Sequence, residues 1–123
     1  MIIKNYTPHE ITLFSLWDMV YDSRTHGYKL LNNSNPRYSY PSLGCARCEQ
    51  FEHVHSMLDD VVILHTTYGE LQGLPDPEEG VLYVVSQLVH QSARHIGRVD
   101  TITVARPIRD DNGRVIGCGA FAI

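Results

Sequence analysis

Apolar and polar positions are patterned clearly in the second half of the chain and poorly in the middle. Val61-Val62-Ile63-Leu64 is a continuous apolar run, the pattern of a buried strand. Val81 to Val85 predicts a second. Ser86 follows at once, and a serine hydroxyl can accept an otherwise unpaired N–H at a helix start. Leu88, Val89, Ser92, Ala93 and Ile96 then recur at helical spacing, and Gly97 supplies a stop. Thr101 to Ile108 is rich in β-formers. Asp110-Asp111-Asn112-Gly113 predicts a hairpin turn, because asparagine and glycine tolerate positive φ. Val115 to Ile123 is the returning strand.

Upstream, Ile2 and Ile3 begin a short strand. Thr7-Pro8-His9-Glu10 has the form of a capping box with proline at the first helical position. The β-prone Ile11-Thr12-Leu13-Phe14 contradicts a helix there, so Asn5 to Pro8 is read as a turn between two strands. Trp17 to Tyr21 extends the second strand or adds another. Residues 23 to 60 carry little period. Asn32 to Pro36 is a loop by composition, and Tyr38, Tyr40 and Pro41 continue an extended path. Cys45 to His55 has weak strand parity, and Asp59-Asp60 makes a turn. Gly69 to Gly80, with Pro75 and Pro77, is a stiff connector.

These elements predict one α+β domain over residues 1 to 123: a small, mainly antiparallel sheet with one main helix packed on one face. Short strands leave sheet edges open, which predicts a homo-oligomer that covers them. Apolar residues make up 43% and charged residues 20% of the chain, ordinary for a globular domain rather than a disordered one. A net charge of −4 argues against bulk nucleic-acid binding. Three cysteines, Cys45, Cys48 and Cys118, do not make an even disulfide set. The first residues lack the pattern of a signal peptide, and no apolar stretch is long enough to span a bilayer. The expectation is a cytoplasmic protein with no membrane partner and no cofactor.

Four constellations bear on chemistry. Cys45-Ala46-Arg47-Cys48 with His53-Val54-His55 has ligand types suited to zinc, although an extended backbone would put the two cysteines on opposite faces. His65-Thr66-Thr67 and His90-Gln91-Ser92 form a pair of H-x-S/T motifs that, face to face, would resemble the two-histidine phosphoesterases. Against this, Thr66 and Gln91 are polar, and the second motif falls on the predicted helix, where His90 and His95 would be solvated. Gly117-Cys118-Gly119 reads as a strand bulge, with Cys118 a buried small residue. The fourth, an anion site, is the strongest. Ser86 and Gln87 open a helix after a buried strand, where free amides attract phosphate. Arg94, Arg98, Arg106 and Arg109 follow, and guanidinium forks suit phosphate or carboxylate. Asp100 and Asp110 would take ribose hydroxyls or pair with those arginines, and Tyr6, Tyr38, Tyr40 and Tyr68 are available to stack on a base.

Five segments carry a resemblance: Tyr6-Thr7-Pro8-His9-Glu10, Gly73 to Gly80, Tyr83-Val84-Val85-Ser86, Arg98-Val99-Asp100 and Arg109 to Cys118. Together they resemble a group of small uncharacterised proteins of phages, prophages and some bacteria. The resemblance implies no catalytic residues. It implies a context in which small phage proteins antagonise host defences, some by sequestering nucleotide signals. The leading expectation is therefore a non-catalytic binder of a small anionic, nucleotide-derived ligand. The alternatives are a metal-dependent hydrolase or phosphoesterase acting on a nucleotide, and a phage interaction or structural protein gripping a protein partner.

Overall fold

A computed structural model describes residues 1–32 and 34–123, so Asn33 of the predicted 32–36 loop lies outside the described residues. In chain order these residues form β1 (Ile2–Asn5), β2 (Ile11–Leu13), a single 3-10 turn (Leu16–Asp18), β3 (Met19–Asp22), β4 (Gly27–Leu30), β5 (Tyr38–Tyr40), β6 (Gln50–Leu58), β7 (Val61–Tyr68), β8 (Val81–Val84), α1 (Gln87–His95), β9 (Thr101–Arg109) and β10 (Val115–Ala122).

Connectivity decides the strand directions. The chain leaves β8 through α1 and returns as β9, so the two strands are parallel, with Tyr83 opposite Thr101 and Val84 opposite Ile102. A helical crossover is the usual way to join parallel neighbours, which a tight turn cannot do. β1 also runs parallel to β8, and β2 meets β10 in parallel at Leu13 and Cys118. The Asp110–Gly113 turn makes β9 and β10 antiparallel, and β2 pairs antiparallel with β5. The strand order is β1-β8-β9-β10-β2-β5. A parallel bridge between Asn5 and Ser42 brings the last strand back toward the first. The fold is therefore mostly β, a mixed sheet nearly closed into a barrel. The expected mainly antiparallel sheet with a helix over one face is overturned. That expectation treated each strand as paired with its sequence neighbour, whereas β1 and β2 find partners far along the chain.

Alternation along β8 explains the core. Val84 points into the barrel with Ile11, Leu13, Ile102 and Cys118. Val81, Tyr83 and Val85 point outward and are covered by Val89 of α1 and by Ala46, with Leu71 and Leu74 against them. A strand buried on both faces reads as an unbroken apolar run, as Val81–Val85 does. Helix α1 thus covers only part of the outward side of β8, and the chain around residues 46 and 71–74 packs against it too. A third cluster, Phe14, Met19 and Ile108, lies against the β3–β4 hairpin, whose Tyr28 pairs with Ile108 of β9.

Several local expectations hold. The Ser86 cap, the 110–113 hairpin and the bulge near Gly117 are present, and the turn expected at 5–8 lies slightly later, between the end of β1 at Asn5 and the start of β2 at Ile11. The predicted burial of Val61–Leu64 does not hold. These residues do form a strand, but β6 and β7 pair as a separate two-stranded hairpin exposed along β6 and over Val61–His65 of β7. The strand begins at Gln50 rather than Cys45, leaving Cys45–Cys48 in a connecting segment.

Candidate functional site

Helix α1 begins where Ser86, in an extended conformation, turns its Oγ to accept the Val89 N–H at 3.3 Å. Its carbonyl accepts the His90 N–H at 2.9 Å. Facing this first turn is the 45–48 segment. The Ala46 N–H donates to the Tyr6 carbonyl at 3.0 Å, and Arg47 and Gln72 exchange two backbone hydrogen bonds of 2.8 Å. Gly73 holds the connector against this segment. It has φ of +79°, and a Cβ there would lie 2.7 Å from the Cys45 carbonyl oxygen.

Between these walls lies a cleft of about 340 Å³, lined by Tyr6, Thr7 and Pro8, by Cys45 to Cys48, and by Ser86, Leu88 and Val89. Tyr6 is fixed edge-on to Tyr83, with ring centroids 5.5 Å apart. Arg47 is exposed, and it also lines an adjoining hollow of about 460 Å³ with Cys48, Glu49, Glu70 and Gln72. A separate groove of about 370 Å³ runs over β2, β9 and β10, where Ile11, Pro107 and Ile116 contribute. It lies away from the helix start.

The arginines expected to converge have separate partners. Arg94 donates to the Thr101 carbonyl at 3.0 Å. Arg98 grips Asp100 through two bonds of 2.9 and 2.8 Å and also donates to the Pro75 carbonyl at 2.9 Å. That fork holds the Asp100 carboxyl below the usual carboxylate range and raises the Arg98 guanidinium further. Arg106, at a positive φ of 53°, lies over the Tyr28 ring at 5.5 Å, beside the β3–β4 hairpin. Arg109 donates to the Gly113 carbonyl at the β9–β10 turn, where Asp110 accepts the Asn112 and Arg114 amides. Gln87 is exposed at the first helical position. Of the predicted set, Ser86 alone lines the cleft.

The other constellations separate too. Among the described residues no group of three or more histidines, cysteines or acids is placed to hold a metal. Cys45 and Cys48 sit half-buried beside the cleft with free thiols, while His53 and His55 are out on β6. His65 is exposed on β7 opposite His53. His90 is half-buried rather than solvated, and its Nδ1 lies 2.8 Å from the buried Thr101 hydroxyl. Burial, aided by the nearby Arg94 charge, pushes His90 below its ordinary pKa. Tyr38 and Tyr40 pack against each other on β5, with Tyr40 also against Phe121, and Tyr68 bonds Gln91. Arg47 escaped sequence reasoning because it lies in a segment with little period, and nothing in the sequence pairs it with Ser86.

No family model, curated protein or solved structure matches this chain. No helix among the described residues is long and apolar enough to cross a membrane.

Proposed function

We propose that this protein is a non-catalytic binder of a small anionic ligand, held in the cleft between the start of α1 and the 45–48 segment. The observation that carries this reading is that Arg47 and the first turn of the helix line one cleft. The first amides of a helix have no carbonyl partner within it, and their dipoles favour negative charge. A guanidinium beside them supplies a fork that suits phosphate. Tyr6, in the same cleft, offers an aromatic ring to a base or another flat group. Nucleotide-derived compounds combine both chemistries, so they are the class of choice. The resemblance to phage proteins extends the reading to sequestration of a nucleotide signal.

Thermal-shift measurements over cyclic nucleotides, ADP-ribose derivatives and inorganic pyrophosphate test this. A ligand present at 100 times its Kd stabilises the folded state by about 2.7 kcal/mol. One or more nucleotides should raise the melting temperature without being turned over. A flat response across the whole series would sink the reading.

A further inference from the structure

We propose that the β6–β7 hairpin is an assembly arm that docks a second copy of this chain. A two-stranded hairpin alone is marginally stable in water. Here β6 and β7 pair only with each other in register, from Gln50 opposite Tyr68 to Leu58 opposite Val61. Side chains alternate between faces along a strand. Val54, Met57, Val62 and Leu64 therefore occupy one face of the outer half of the arm, and Leu58, Val61 and Ile63 the other. Val54 is 66% and Leu58 65% exposed, so neither face is covered by the described residues. An ordinary solvent-facing hairpin has one polar face. Apart from Ser56 opposite Ile63, this arm is apolar on both faces over its outer half, which is the pattern of strands enclosed on both sides.

The usual guards against strand pairing are also missing. Exposed edges are normally blunted by lysine or proline. Residues 50 to 68 contain no lysine, arginine or proline. Their charged residues are Glu52, Asp59 and Asp60, which would be repelled by an anionic bilayer or a nucleic acid. Eight apolar side chains of the arm, Phe51, Val54, Met57, Leu58 and Val61 to Leu64, are each at least 45% exposed, and a standard interface takes about 800 Å² from each partner. An interface this apolar is typical of identical subunits, and a second copy is present as soon as the chain is made.

The test is to measure solution mass by sedimentation from about 1 to 100 µM, a span covering micromolar affinities, together with amide hydrogen exchange over residues 54–64. The wild-type chain should sediment as a dimer or higher multiple with protected arm amides. Val61→Lys with Val62→Lys places a charge on each apolar face and should weaken association by about 100-fold or more, since association would have to bury it. The arm amides should then exchange freely while the barrel melts as before. If the lysine variant does not fold, Val61→Thr with Val62→Thr should still weaken association measurably. A wild-type chain that is monomeric at every concentration with unprotected arm amides would overturn the proposal. So would a multimer unaffected by either variant, or a monomer whose arm becomes protected only on neutral lipid vesicles or a foreign protein.

Discussion

The Asn5 side chain, 1% exposed, donates from Nδ2 to the Tyr40 carbonyl at 3.0 Å, tying β1 to β5 where the barrel nearly closes. The same amide donates to the His9 carbonyl at 2.7 Å, and its Oδ1 accepts the Thr7 N–H at 2.9 Å and the Thr7 hydroxyl at 2.6 Å. One buried side chain therefore satisfies both the 6–10 turn and the strand across the seam. Asn5→Ala removes the bond across the seam to the Tyr40 carbonyl and the acceptor of the Thr7 N–H, while the His9 carbonyl keeps the Thr7 hydroxyl at 3.1 Å. It should cost about 2–4 kcal/mol, because stranding buried polar groups is more expensive than losing a hydrogen bond between exposed ones. Chemical denaturation would show this as a lower midpoint, and Asn5→Asp should recover only part of the loss, since it keeps the acceptor and removes the donors.

His90 makes stability pH-dependent near neutrality. Folding favours the neutral imidazole, so the unfolded chain takes up the proton first as pH falls. This contribution is fully present above the ordinary value of 6.5 and is lost as pH drops below it through the folded pKa. Melting temperatures measured between pH 8 and about pH 5 should decline on the acid side, and His90→Gln should flatten that decline.

Arg98 and Asp100 respond lower on the pH scale. The Asp100 carboxyl is depressed chiefly by the Arg98 fork, so the pair stabilises the fold above the ordinary value of 3.8 and fails as pH falls through the folded pKa. The two side chains are only 16% and 14% exposed. Arg98→Ala should cost about 2–4 kcal/mol at pH 7, because it strands a largely buried carboxylate. Arg98→Lys should not restore it, since an ammonium cannot reproduce the bidentate fork and the Pro75 bond together. Denaturation midpoints at pH 7 and pH 3 separate the two effects.

Two glycines should fail for different reasons. A Cβ at Gly117 would lie 2.6 Å from the Phe14 ring and 2.9 Å from the Thr12 carbonyl oxygen, so Gly117→Ala must push β10 off β2. Gly113 has open space around it but a φ of +80°. Gly117→Ala should cost about 2–3 kcal/mol as an overpacking change, and Gly113→Ala about 1 kcal/mol as backbone strain. Denaturant titration should rank them in that order.

Arg47→Ala tests the cleft without touching the core, since this side chain is exposed. It should leave the melting temperature of the free protein within about 2 °C, as surface changes of ±0.5 kcal/mol do. It should also reduce the shift given by an anionic ligand, with affinity falling at least tenfold for the loss of a charge-assisted contact.

What the sequence made legible follows the range of the interactions involved. The Ser86 cap, the 110–113 turn and the β8–α1–β9 succession depend on residues close together in the chain, and all were readable. The pairing of β1 with β8 and of β2 with β10 was not, because hydrophobic period says which face is buried but not which strand lies alongside. The Val61–Leu64 run shows the same limit from the other side. Its composition predicts burial, and among the described residues nothing covers it. The arginines misled because their proximity in sequence spans a helix, a bend and a hairpin tip. Arg47 and Ser86 are brought to one cleft only by the chain's path through its least patterned segment.

The pairing of Leu13 with Cys118 has a consequence for biosynthesis. A ribosome delivers β2 long before it delivers the strand that must lie beside it. The β6–β7 hairpin pairs residues that emerge one after the other, so its register can be set before β8 to β10 are made. The barrel cannot be sealed until the final strand has emerged, and a chain interrupted after Asn112 would leave Ile11, Leu13 and Ile102 wet. Its half-built sheet would be a substrate for chaperones rather than a smaller version of the fold.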